Sequence, residues 1–163
     1  MLFHFSYLAF FCQFPICFRY PPLLMLQPHL GQSLIRYRLT RTAGAKHKAQ
    51  QNGYAGFMFP WESAGSGEEV QGTPYNNVGP WGMYEQHITS DIALAAWQYW
   101  KMTNDNDFLA SDIEPLLREI ANFWASRVVK AADDGLYHIY QVMGPDGTNP
   151  CSDPFANAQE FAV

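Results

Sequence analysis

Charge is scarce in this chain: of 163 residues only 15% are charged, and the two signs are unevenly spread. Residues 1 to 48 contain no Asp or Glu, and no Lys or Arg stands between Lys48 and Lys101. The six cations of the first stretch (Arg19, Arg36, Arg38, Arg41, Lys46 and Lys48) are scattered through apolar sequence. A nucleic-acid surface needs its cations massed on one face, so no nucleic-acid partner is expected. The cation-free stretch also excludes a phosphate or nucleotide cradle there, which would want Lys, Arg or a glycine-rich turn opening a helix.

Cysteine is scarce too. Cys12, Cys17 and Cys151 are an odd set, and Cys12 and Cys17 have no paired Cys or His at ligand spacing. A disulfide framework and a zinc site are both excluded, which leaves free thiols, no metal and no cofactor. Long apolar runs are missing with one near-exception, Met1 to Phe18, which holds Leu2, Phe3, Phe5, Leu8, Phe10, Phe11, Phe14, Ile16 and Phe18. Pro15 interrupts it, and Arg19 ends it short of the roughly 20 residues a membrane span requires, so no stable span is expected. It has the apolar centre of a secretory signal without the charged start or a clean cleavage site. The location is therefore cytoplasmic, or secreted or vacuolar if this segment is a signal; on the rival reading, residues 1–19 are a divergent or artefactual front end.

What is present is apolar and aromatic. Hydrophobic residues reach 48% and aromatics 16%, a composition that excludes disorder and suits a globular, aromatic-lined protein. Pro28 followed by Leu30, Leu34 and Tyr37 predicts an amphipathic helix to about Leu39. A shorter helix from about Ala43 should stop at Asn52-Gly53. Residues 53–88 show neither helical nor strand period, and an irregular stretch of that length is usually functional. Thr89 or Ser90 should cap a helix running to about Met102, apolar almost all round from Ile92 to Trp97 and so buried. Thr103 to Asp107 reads as a turn; calcium is not expected, because Ala110 and Leu116 occupy the positions that a calcium loop gives to glycine and glutamate. Ile113, Leu116, Leu117, Ile120, Phe123, Trp124 and Val128 mark a long amphipathic helix. Asp134-Gly135 supplies a turn before a short strand within Leu136 to Met143, so a small β-hairpin near 136–143 is expected in an otherwise all-α chain.

The chemistry concentrates between Tyr54 and Trp100. Ten aromatics (Tyr54, Phe57, Phe59, Trp61, Tyr75, Trp81, Tyr84, Trp97, Tyr99 and Trp100) share 47 residues with five carboxylates and no Lys or Arg. A sugar site needs that mixture: flat rings cover the C–H faces of a pyranose, while carboxylates, amides and imidazole bond its hydroxyls. The competing reading is a Trp-rich core, but aromatics set in a loop beside Glu62 and His87 favour a binding function.

Four ordered blocks then become recognisable. Phe59-Pro60-Trp61-Glu62-Ser63 with Gly67-Glu68-Glu69, His87-Ile88-Thr89-Ser90-Asp91-Ile92, Phe123-Trp124-Ala125-Ser126-Arg127, and Met143-Gly144-Pro145-Asp146 closely resemble glycoside hydrolase family 65. That family includes acid trehalases, maltose and kojibiose phosphorylases and glucosylgalactosylhydroxylysine glucosidases. The resemblance runs from about Tyr20 to the C-terminus and implies residues 20–163 as the N-terminal part of an (α/α)6 barrel. It implies that Trp61 and Glu62 grip the glucosyl unit at the cleavage point, the indole as a wall and the carboxylate as acceptor. It implies His87 and Thr89 as polar contacts at the mouth of a barrel helix; Asp91 reads as a helix-start charge.

The implied activity is inverting cleavage of an α-glucoside by water or, in a phosphorylase, by inorganic phosphate as co-substrate. One carboxylic acid must protonate the departing oxygen while the attacker enters from the opposite face. The family places that acid directly after Gly-Pro-Asp, where this chain has Gly147. Asp146 is adjacent but shorter and differently directed, a weak substitute, so no catalytic acid is intact. Phe155 and Asn157 resemble the aromatic and asparagine that follow, about two residues early. The acidic segment expected before Tyr20-Pro21-Pro22 is replaced by Phe14-Pro15-Ile16-Cys17-Phe18-Arg19. The downstream half of the barrel is expected to lie beyond Val163, leaving faces such as Ala93, Ala96, Trp97 and Trp100 to be covered by a complementing barrel half or an oligomer. Two other readings stay open at this point: a noncatalytic sugar-binding module, and a truncated gene product without function of its own.

Overall fold

Two prolines open the first helix of the computed structural model, which describes residues 20–61, 63, 65–69 and 84–142. Helix α1 (Tyr20–Leu26) carries Pro21 and Pro22 in its first turn, where a missing N–H costs no hydrogen bond. The sequence reading begins its helices only at Pro28, and α1 corrects it: Tyr20 and Leu24, one turn apart, are both buried. Gln27 then leaves the helical region, as a residue preceding proline tends to do, and Pro28 restarts the chain as α2 (Pro28–Leu39). Helix α3 (Thr42–Gln51) ends at Asn52, and Gly53 takes the left-handed conformation (φ 79°) beyond it.

Helix α4 (Ile88–Thr103) starts earlier than Thr89 or Ser90, so neither is its cap. The Thr89 hydroxyl is used elsewhere, accepting the Phe59 backbone N–H at 3.0 Å. Asn104, left-handed at φ 53°, ends α4, and the Asp105 carboxylate accepts the Phe108 N–H to start α5 (Asn106–Phe108). A π-helical turn, Leu109–Ile113, follows and leads directly into α6 (Glu114–Arg127). The widened turn lies immediately ahead of Pro115, whose ring would crowd the carbonyl one turn back in a regular α-helix.

The predicted hairpin exists, and the structure supplies the partner strand that the sequence does not name. Strand β2 (Tyr137–His138) pairs antiparallel with β1 (Val129–Lys130), in register Val129 to His138 and Lys130 to Tyr137. The strand is therefore shorter than 136–143, and its partner is the segment just past α6. Asp134 builds the turn: its carboxylate accepts the Leu136 N–H at 2.8 Å and lies 2.9 Å from His138 Nε2, while Gly135 adopts φ 73°. The Leu136 N–H, and then His138, hold the Asp134 carboxyl below its ordinary pKa.

The core forms where α2 and α6 pack on α4, with α1 against both α2 and α4. Ile35, Ile88, Ile92, Ala95, Ala96, Leu116 and Ile120 are all buried in one cluster. Two expectations are corrected here. Ala96 is fully buried rather than part of an open face, and Ala93 and Trp100 pack against the core. Conversely α4 is not covered all round, since Leu94 is 40% and Trp97 47% exposed. Among the described residues no helix is long and apolar enough to cross a membrane.

Candidate functional site

The segment from Tyr54 to Trp61 has no regular structure, yet its backbone is held at nearly every step. Tyr54 N–H donates to Ala49 O at 2.9 Å, Ala55 N–H to Ser126 Oγ at 3.0 Å, and Phe57 N–H to Glu119 O at 3.1 Å. Met58 N–H donates to Ala45 O at 3.1 Å, Phe59 N–H to Thr89 Oγ1 at 3.0 Å, and Trp61 N–H to Glu69 Oε2 at 2.8 Å. Helices α3, α4 and α6 thus each take part in fixing one irregular strand of chain, which satisfies buried N–H groups that would otherwise be costly. Gly56 is what lets the segment lie so close to α6. Its φ is 68°, and a Cβ there would sit 2.1 Å from Glu119 O and 2.6 Å from Phe123 N.

Beyond Trp61 the chain turns back on itself. Ser63 and Glu69 form an isolated antiparallel bridge. Tyr37 O–H donates to Ser63 O at 3.0 Å and lies 3.1 Å from Ser63 Oγ, tying the outgoing limb to α2. Glu69 Oε2 also accepts from Lys48 Nζ of α3 at 2.6 Å, and both side chains are largely buried. Burial pulls the Lys48 ammonium below its ordinary pKa, and the Glu69 carboxylate opposes that pull. Gly44, His47, Lys48, Gln51, Gly67, Glu68 and Glu69 line a polar hollow of about 280 Å³ beside the pair.

At the start of α4 an imidazole stands between two carboxylates. His87 Nδ1 lies 3.2 Å from Glu85 Oε2, and His87 Nε2 lies 4.0 Å from Asp91 Oδ2. Burial pushes the Asp91 carboxyl up to about 6. Next to this group Arg127, the last residue of α6, is buried: its Nε donates to Gln86 Oε1 at 2.8 Å, its Nη2 donates to Tyr140 O, and its guanidinium lies over the Tyr54 ring at 5.2 Å. One cation therefore ties the approach to α4, the end of α6 and the segment just after β2.

The sequence-predicted residues fall into four groups. Trp61 is half-buried and packs against the main core, with its backbone anchored as described. Thr89 is fully buried and reaches Phe59, so in this structure it acts on the loop that carries Trp61. His87 sits beside Glu85 and Asp91, and Asp91 does lie in the first turn of α4. Glu62, Asp146 and Gly147 lie outside the described residues. Among the described residues no three His, Cys, Asp or Glu side chains are grouped to hold a metal ion.

Sequence reasoning gave no role to Glu69, Ser126 or Arg127, which stand there only as members of the recognised blocks, and passed over the Tyr37 hydroxyl. Arg127 did leave a signal. Ile113, Leu116, Ile120 and Phe123 are buried at alternating spacings of three and four, and Arg127 is the next position of that stripe. A cation on a buried stripe must bond inside the protein.

A model described as the glycosyl hydrolase family 65 central catalytic domain matches residues 16–154. A kojibiose hydrolase from Flavobacterium johnsoniae is 46% identical over 127 residues, covering 78% of this chain and 18% of the relative. A protein-glucosylgalactosylhydroxylysine glucosidase from Dictyostelium discoideum is 45% identical over 130 residues, covering 77% of this chain and 18% of the relative. A solved structure from the human microbiome, provisionally a kojibiose phosphorylase, has the same fold with a TM-score of 0.70 and 24% identity. The match covers 80% of this chain and 18% of that one. The match therefore spans about a fifth of the length of these relatives.

Proposed function

The chain belongs to glycosyl hydrolase family 65, its helices being part of that family's (α/α)6 barrel, and from this premise we propose that it carries a glucose-holding part of an α-glucoside-cleaving site. In this reading Trp61 is the apolar wall under the glucosyl ring, Glu62 takes its hydroxyls, His87 is the polar border, and the buried Thr89 serves by holding the loop that carries Trp61. The observation that supports it is the anchoring of an irregular, aromatic-rich segment by three helices. A wall for a sugar ring must be preset, because ordering it on binding would consume the small free energy that such a contact supplies. The relatives' names point to kojibiose or to a glucosylated hydroxylysine as substrates, with trehalose and maltose as the other candidates.

Cleavage in this family's manner requires an acid on the departing oxygen. Gly147 stands where the resemblance places that acid, and loss of a general acid costs about 100- to 10,000-fold in rate. This supports a second reading, a noncatalytic sugar-binding module that keeps Trp61 and Glu62. Titration calorimetry with glucose, kojibiose and trehalose, run beside glucose-release assays with and without inorganic phosphate, separates the two. We expect binding that Trp61→Ala weakens at least about tenfold, as loss of a stacking aromatic does. Turnover abolished by the same substitution favours the enzyme, binding without turnover favours the module, and a chain that binds none of the three sugars sinks both.

A further inference from the structure

Trp61 has no helix or strand to fix its direction, so whatever holds its backbone decides where the indole faces. Two bonds bracket it. Phe59 N–H is held by Thr89 from the α4 side, and Trp61 N–H is held at 2.8 Å by Glu69 Oε2 from the other. The same carboxylate oxygen receives Lys48 Nζ at 2.6 Å, and the Ser63–Glu69 bridge returns the chain so that Glu69 reaches back to Trp61. A largely buried carboxylate is costly unless it is both hydrogen-bonded and neutralised, and here it is both. Lys48 is in turn held by α3, whose neighbouring residue Ala49 is fully buried, so the support traces to the packed body of the molecule.

We propose that Glu69 is a positioning residue: its carboxylate, neutralised by Lys48, fixes the Trp61 backbone and so sets the attitude of the indole. Its consequence for sugar binding rests on the reading of Trp61 given above. Glu69 touches no sugar in this scheme. It acts through an acceptor at a fixed distance, which glutamine can supply and alanine cannot.

The test uses the full chain with Glu69→Ala and Glu69→Gln, and two readouts. Amide hydrogen exchange at Trp61 should speed at least about tenfold in the alanine variant and by no more than about threefold in the glutamine variant, the range expected for losing or keeping one hydrogen bond to a charged group. Exchange at Phe59, held independently by Thr89, should stay unchanged in both. Glucose affinity by calorimetry should follow the Trp61 amide, falling about tenfold or more with alanine and recovering with glutamine. A general loss of structure would instead speed Phe59 and Trp61 together and would not be rescued by glutamine; that result overturns the proposal. So does an unchanged affinity in a Glu69→Ala chain whose Trp61 amide has come loose. The wild-type chain gives a check that needs no variant: a Trp61 amide exchanging at the rate of a free peptide rejects the proposal outright. Absence of glucose binding by wild type defeats the glucose reading, and the paired exchange rates of Phe59 and Trp61 then decide the role of Glu69 by themselves.

Discussion

Asp91 sits in the first turn of α4, where a helix N-terminus favours a carboxylate by about 0.3–1 kcal/mol, and yet burial pushes its pKa up to about 6 from 3.8. Desolvation therefore outweighs the helix dipole. The folded chain holds this proton more tightly than the unfolded chain, so Asp91 makes a stabilising contribution that is complete below the unfolded value of 3.8 and is lost as pH rises through about 6. Asp91→Asn should accordingly stabilise the chain at pH 7 by roughly 2 kcal/mol, with the advantage gone near pH 4. Thermal melts of the two proteins at both pH values test this. An asparagine variant less stable than wild type at pH 7 would show that the carboxylate is needed in its charged form.

At the scale of elements, Arg127 links α6 to the hairpin and to the start of α4. Burial works against its charge, and the bonds to Gln86 and Tyr140 O offset that cost. Arg127→Met keeps the stem and deletes the fork, leaving Gln86 and the Tyr140 carbonyl without this donor. We expect a loss of about 2–3 kcal/mol in unfolding free energy, with Arg127→Lys little better because a single ammonium nitrogen lacks the spread by which Nε and Nη2 reach the two acceptors from separate atoms. Denaturant melts give the magnitude, and a methionine variant within about 0.5 kcal/mol of wild type rejects the clamp. The sequence pattern exposed the elements more readily than their connections. α2, α3, α4 and α6 follow from apolar period and from Pro28 and Gly53. The hairpin partner Val129–Lys130 does not, because two residues at the end of a helical stripe carry no period of their own. Nor does the Lys48 to Glu69 link, since neither residue's own sequence neighbourhood specifies a contact 21 positions away. Trp61 and His87 stood out through residue type and family resemblance, whereas Glu69 and Thr89, though inside the recognised blocks, acquire their supporting roles only through tertiary contact.

At the scale of the whole molecule, the described residues include an apolar groove of about 240 Å³ between α1 and α4, lined by Pro21, Leu24, Met25, Trp97, Gln98, Lys101 and Met102. Met25 and Leu26 are 72% and 77% exposed, and Met102 is 52% exposed. Lys101 lies over the rings of Trp97 and Trp100 and covers part of this surface. Exposed apolar area of this kind promotes self-association. Trp97→Gln should reduce apolar-dye binding and concentration-dependent association while changing stability by less than about 1 kcal/mol. Light scattering across a dilution series checks the first part, and an unchanged profile would place the sticky surface elsewhere.

The partners that hold residues 54–61 have a kinetic meaning as well. Ala55 is bonded to a residue 71 positions away on α6 and Phe59 to one 30 positions away on α4, so each bond closes a long loop and needs its own helix in place. Long loops must surrender their entropy before such contacts repay it. The segment that carries Trp61 begins with a local bond, Tyr54 N–H to Ala49 O, but its full shape requires all three helices, so its order is a reporter of their joint assembly.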